Sequence, residues 1–474
     1  MALTPEQEAK AVQIITAFDN GKRLNELPDI GNTNPLDLTV EVLDTDGESK
    51  QAKLAALLPY LEEQCAYGIQ WDTTVSSPAC TRIGNVALHK SLPIQNRMKG
   101  CLLDDSGNVV EYLHPTNWNA HILDGSRGQA MVEIPAHYRK FEVEGTVQRA
   151  KISELPLPGY HAVPKQYISA FEATFERSTG KLCSVANMGA DYRGGNNQAD
   201  WDGTYRSVLG RPTTVKSRTA FRSAARLRGA GTQWNCCLYE TYKAMVWLYY
   251  IEYANRNSQA AFNAQPDVNG YKQGGLGNGV TNVTSVDWSA LNGSHPFIPC
   301  GHTNILGNAS GEVAYNIDVN GDGSKVVTIY ANRNRGMENP FGHVWHWSDG
   351  INIEIKTDAD GGTSKVYVCN DPAKFSDSVY TGYAMRGLEG RTEGYTKEML
   401  IGEFGDIIPT VVGGGSTAYW CDYHYTNIAN ALRGVLLGGG ANVGANVGLG
   451  CVYSIHAPSY TGTGVGSRLC FLPA

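Results

Sequence analysis

After Trp420 the chain has 54 residues without a single lysine, glutamate, glutamine, methionine or tryptophan. The composition of the whole sequence would put about eight of them there. No run of eighteen apolar residues exists, and the opening MALTPEQEAK lacks the basic start and apolar centre of a signal peptide. No membrane insertion is expected, and the product should be made and kept in a cytoplasm until something else carries it out. With 39 basic against 46 acidic residues and no long run of either sign, nucleic acid and anionic membranes are poor partners. The 11 cysteines are scattered, without a CxxC pattern or a disulfide framework, so reduced and mostly buried thiols are expected. GxSxG, HExxH, Walker and Rossmann motifs are all missing, so no catalytic residue, cofactor or metal is expected.

What is present suggests two or three domains, since 474 residues exceed one ordinary core. Thr4, Pro5 and Gln7 read as a helix start, with Ala11, Val12, Ile15 and Ala17 at helical spacing. A strand over 38–43, a turn at Asp46-Gly47 and a helix over 50–67 follow. Residues 1–70 have too few apolar groups for a strong monomeric core and read as a helical attachment or oligomerisation module. From about Trp71 short strands dominate. Residues 98–103 and 109–113 flank a DSGN turn as a hairpin would, and the alternation around Pro135 points to an edge strand or a strand start. The β-rich segment is placed at 71–160 and the main domain at 161–474. Residues 217–263 hold the best helix, so densely apolar that it should be buried.

Two metal readings are weighed and set aside. Asp318, Asn320, Asp322 and Gly323 match the opening of a calcium loop, but Ile329 occupies its twelfth position, so a hairpin turn is preferred. His343 and His346, beside Trp345 and Trp347, lack partners at ligand spacing and read as satisfied structural histidines.

The closing segment obeys different rules. Glycine at 438, 439, 440, 444, 448, 450, 462, 464 and 466 weakens helices and strands alike, so this backbone should be looped and held from outside. The five missing residue types are those that an Asn codon, AAC or AAT, cannot reach by changing its first two bases. The order of Asp422, Gly438 and Gly439, Gly448 and Leu449, then Gly466, Ser467, Arg468, Leu469, Cys470 and Phe471 resembles the variable proteins of diversity-generating retroelements. PGYHAVPKQYISAFEATF and ENPFGHVWHWSDGINI similarly resemble scaffold of phage and prophage tail-fibre proteins of gut Bacteroidetes.

The resemblance implies an α+β architecture. Its C-terminal C-type-lectin-like domain, of the formylglycine-generating-enzyme type, would have mixed sheets with two packed helices. It also implies a variable region at about 421–470 whose Asn-template positions bind ligand. The candidates are Val435, Leu437, Gly440, Val443, Val452, Tyr453, Ile455, His456, Tyr460, Gly462, Gly464 and Val465, with Tyr423, His424 and Tyr425 as neighbours. Tyr453, Ile455, His456 and Tyr460 are the expected contact anchors. The implied role is a phage tail-fibre receptor-binding protein, located at the virion's tail tip and recognising a bacterial surface protein or glycan. Other tail proteins would attach through the N-terminal module, and a homotrimer would supply avidity. The alternatives are a surface-displayed variable adhesin and, remotely, a formylglycine-generating-type oxidase, which would need two closely spaced late cysteines. Cys451 and Cys470 stand nineteen apart.

Overall fold

A computed structural model of the chain describes residues 39–43, 49–203, 207–282 and 293–473, with no side-chain description before residue 59, at 60 or at 281–292. The protein is mostly β, with few helices. It divides into two units, Met1–Cys65 and Ala66–Ala474. In the first, strands Thr39–Leu43 and Ser49–Lys53 form an antiparallel hairpin, followed by helix Leu54–Cys65 with Pro59 inside it. The strand matches the sequence reading, while the helix expected over 50–67 is confined to 54–65, with strands on either side of it in sequence. The helix expected after Thr4 and the turn at 46–47 lie outside the described residues.

The second unit is built around one helix, Tyr239–Tyr253. Every residue in it except Glu240 is buried, which follows from a sequence with apolar groups on all sides rather than along one stripe. It touches strands of four sheets. Its charged side chains are neutralised locally: Lys243 Nζ lies 2.7 Å from Glu240 and 2.8 Å from Asp406, and Glu252 pairs with Arg335 at 2.8 Å. A shorter helix, Arg218–Arg226, is capped by Ser217 and sends Arg222 onto buried Asp349 through two hydrogen bonds of 2.5 and 2.9 Å.

A five-stranded sheet runs in the order His161–Val163, His137–Glu144, Val147–Ser153, Ala66–Asp72, Thr81–Gly84. A six-stranded sheet runs Trp234–Cys236, Leu469–Phe471, Gln166–Ser169, Gln129–Ile134, Lys99–Leu103, Val109–Tyr112. The last two strands are the hairpin expected at the DSGN turn. Strands from both sides of residue 160 share this sheet, so the boundary expected at 160/161 does not separate two bodies. Gln129–Ile134 and His137–Glu144 are each paired on both sides, so neither is an edge strand; Pro135 stands two residues before His137–Glu144, the strand start that was the other reading.

The largest sheet has a main path of Ala384–Leu388, Ser364–Val368, Trp345–Ile355, Ala431–Leu437, Val452–Tyr453, Tyr423–Tyr425, Gly394–Met399 and Pro409–Val412. Val465–Gly466 adds to Trp345–His346 in parallel. The suspected calcium loop is the turn between strands Gly311–Asp318 and Val326–Asn334, where the Asp318 carboxylate accepts hydrogen bonds from Gly321 and Gly323 N–H. Among the described residues no helix is long and apolar enough to cross a membrane.

Candidate functional site

The roots of the closing segment are deeply buried. Trp420 packs edge-on against Trp71, Trp247 and Tyr250. Asp422 is fully buried and accepts from Gly450 N–H at 2.9 Å and from the Tyr250 hydroxyl at 3.5 Å. Burial pushes its carboxyl well above the usual range, outweighing both hydrogen bonds. Gly448 is required here, because a Cβ on it would stand 1.8 Å from Asp422 Oδ1. The next residue is fixed from both sides: Leu449 N–H donates to Ser258 Oγ at 3.0 Å, and its carbonyl accepts from the Tyr242 hydroxyl at 3.0 Å.

The far end is equally enclosed. Arg468 donates to the carbonyls of Ser169, Glu338 and Asn339, while Ser467 Oγ donates to Trp347 O at 3.0 Å and accepts from Cys237 N–H at 3.1 Å. Leu469–Phe471 then runs between Trp234–Cys236 and Gln166–Ser169. The residues that carry the sequence resemblance at the two ends are therefore scaffold.

Between these roots, strand register creates a face. Tyr395 pairs with Tyr423, and Tyr425 pairs with Tyr453, so alternation brings these four rings to one side and sends His424 and Val452 to the other. The rings form a chain. Tyr395 to Tyr423 is 5.2 Å between centroids, Tyr423 to Tyr425 is 4.6 Å, and Tyr425 to Tyr453 is 5.5 Å. Tyr453 to His456 is 5.0 Å, and His456 stacks on Tyr460 at 3.5 Å and 16°. Trp345 underlies Tyr425 and Tyr453 edge-on at 5.8 and 5.2 Å.

Hydrogen bonds fix the polar tips. Tyr395 donates to Asn446 Oδ1 at 2.7 Å, Asn446 Nδ2 donates to the Tyr425 hydroxyl at 2.7 Å, and Tyr453 and His456 Nε2 are bonded at 2.9 Å. Burial, with Tyr460 and Glu393 nearby, pushes the Tyr453 hydroxyl up to about 12, so it keeps its proton. Burial and then the Arg433 charge lower the His456 pKa, so its ring is neutral near pH 7. Tyr460 is 37% exposed, and Tyr423, Tyr425, Tyr453 and His456 are half-buried.

The structure therefore divides the fifteen sequence candidates. Tyr423, Tyr425, Val443, Tyr453, Ile455, His456, Tyr460, Gly462 and Gly464 are at least partly exposed. His424, Val435, Leu437, Gly440, Val452 and Val465 are buried, a correction to their selection as contact positions. Val435, Leu437 and Val452 belong to the core around the long helix, and Val465 lies under the ring face with Trp345. His424 Nε2 bonds the equally buried Glu389 at 3.1 Å. Trp345, Tyr395, Asn446 and Arg433 belong to the site and were missed. The alternation at Trp345 was visible, but pairing of Tyr395 with Tyr423 across 28 residues leaves no local signal.

The two histidines considered as ligands flank one buried carboxylate, with Glu172 lying 2.5 Å from His343 Nδ1 and 3.1 Å from His346 Nε2. Burial opposes the charge on Glu172, but His343 and the hydrogen bonds of both rings outweigh it and hold the carboxyl at about 2. Among the described residues no group of three or more His, Cys, Asp or Glu side chains could hold a metal ion. The ten cysteines from Cys80 onward are thiols, nine of them buried.

No family model matches the chain, and no curated protein matches it. Among solved structures, its neighbours include the Major Tropism Determinant U1, M1 and P3c variants. Identities are 11%, 10% and 10%, with 92% of this chain and 96% of each of those covered, at a TM-score of 0.21 in every case. At that score the likeness gives no ground for assigning a shared fold or activity.

Proposed function

We propose that the chain is a phage receptor-binding protein, a tropism determinant, whose segment 421–470 binds a bacterial surface receptor. The observation that carries this reading is the row of partly exposed rings, Tyr423, Tyr425, Tyr453, His456 and Tyr460, mounted on a buried frame. Tyrosine offers large amphipathic contact area for little rotamer entropy, as in antibody loops, and loops on a rigid frame are where interchangeable contacts are tolerated. The sequence resemblance adds a C-type-lectin-like frame, diversification by a retroelement and a place at the virion's tail tip. Homotrimerisation and attachment through the N-terminal module belong to the same reading.

The chain is proposed to be non-catalytic. Burial pushes the Cys421 thiol up to about 12 and the Cys451 thiol well above its ordinary value, which disfavours a reactive thiolate at either. A surface-displayed adhesin is the alternative. Genomic context separates the two: a reverse transcriptase and an adenine-rich near-copy of the segment encoding 421–470 should lie among tail genes.

The direct test is adsorption of purified protein to a panel of bacterial strains. The Tyr453→Ala/Tyr460→Ala double variant should lose at least about tenfold in binding to every strain that the parent protein recognises, with its thermal midpoint nearly unchanged. Unchanged adsorption would move the site elsewhere.

A further inference from the structure

Among the described residues, one cation near this face pairs with nothing. Arg433 lies on strand Ala431–Leu437, beside Gly434, whose N–H donates to His456 O at 3.0 Å. Its Nε is buried without a hydrogen-bond partner, and no carboxylate among the described residues pairs with it. Its charge is felt by both Tyr453 and His456. Arg218 and Arg222 pair with Asp377 and Arg391 with Asp358, whereas Arg386, on the strand Ala384–Leu388, also lacks a carboxylate but lies over the Phe404 ring at 3.6 Å. In a chain of net charge −7, a half-buried guanidinium with no carboxylate partner, close enough to Tyr453 and His456 for its charge to act on both, is open to an anionic ligand.

Building on the reading above, we infer that Arg433 anchors a carboxylate carried by an acidic saccharide of the receptor. Guanidinium pairs carboxylate through two parallel N–H donors, which gives direction as well as energy. The surroundings suit a sugar ring. Aromatic faces of Tyr453, His456 and Tyr460 can pack against the C–H face of a pyranose, while the Tyr453 hydroxyl, the Tyr425 hydroxyl and the Asn446 amide offer hydrogen bonds at its edge. Only Val443 and Ile455 supply partly exposed aliphatic groups among the candidate positions, little for the buried apolar anchors on which protein epitopes depend.

The test uses surface polysaccharide purified from a strain to which the protein adsorbs, before and after chemical reduction of its carboxylates to alcohols. The parent protein should bind the native polymer at least about tenfold more tightly than the reduced one. Arg433→Gln should lose the same factor on native polymer and nothing further on reduced polymer, with Arg433→Lys between the two. Because the Arg433 side chain makes no hydrogen bond among the described residues, both variants should fold normally. Equal binding of Arg433→Gln and parent to native polymer overturns the inference. So does adsorption that disappears on protease treatment of the cells but survives removal of the saccharide. Unchanged adsorption by the Tyr453→Ala/Tyr460→Ala protein would instead refute the site itself.

Discussion

Val452 lies in the core while Tyr453, one residue on, is partly exposed, because successive side chains of a strand leave on opposite faces. The same rule buries His424 between Tyr423 and Tyr425. Burial has a measurable consequence at the interior histidines. His89, His137 and His346 are each held near 4 by desolvation, whereas the unfolded chain takes up a proton near 6.5. Stability should be complete above about pH 6.5 and fall as pH drops toward 4, by roughly 1.4 kcal/mol per pH unit for each histidine. Urea midpoints at pH 7.5, 5.5 and 4.5 would check this, and a midpoint that rises on acidification would refute it. Tyr453, His456 and Tyr460 became candidates through the family resemblance, with tyrosine chemistry marking the contact anchors, and all three are at least partly exposed. Val435 and Leu437 were misjudged because position in a motif says nothing about which face of a strand a residue takes.

At the scale of elements, the glycine-rich segment is a clasp whose individual glycines differ in function. Gly448 abuts the Asp422 carboxyl, whereas Gly444, at φ 57°, has open space where a Cβ would go. Gly448→Ala should therefore cost more than backbone strain alone, about 1–3 kcal/mol from overpacking a full core. Gly444→Ala should cost only about 1 kcal/mol for its left-handed backbone. Urea titration of the two variants against the parent decides the matter, and equal losses would contradict the clasp. The long helix was legible because fifteen residues with apolar groups all round leave only burial as an option. Of the two readings at Pro135, the strand start holds, with His137–Glu144 beginning two residues on, and the edge strand does not. A proline between two strands disturbs neither ladder, and its sequence neighbourhood looks the same either way.

Within the unit Ala66–Ala474, the chain's last strand, Leu469–Phe471, closes a sheet begun at Lys99–Leu103. Domain limits drawn from composition missed this, since a sheet assembled from strands some 370 residues apart has no signature in local texture. The consequence is a variable-looking segment anchored at both ends in the frame, with its rings gathered on one face. That arrangement is the central claim, and hydroxyl-radical footprinting of the protein on an adsorbing strain tests it most directly. Protection is expected at Tyr423, Tyr425, Tyr453 and Tyr460, while the exposed Tyr112 and Tyr330 stay as reactive as in free protein. Protection at Tyr112 or Tyr330, with Tyr453 and Tyr460 still fully reactive on the cells, would contradict it.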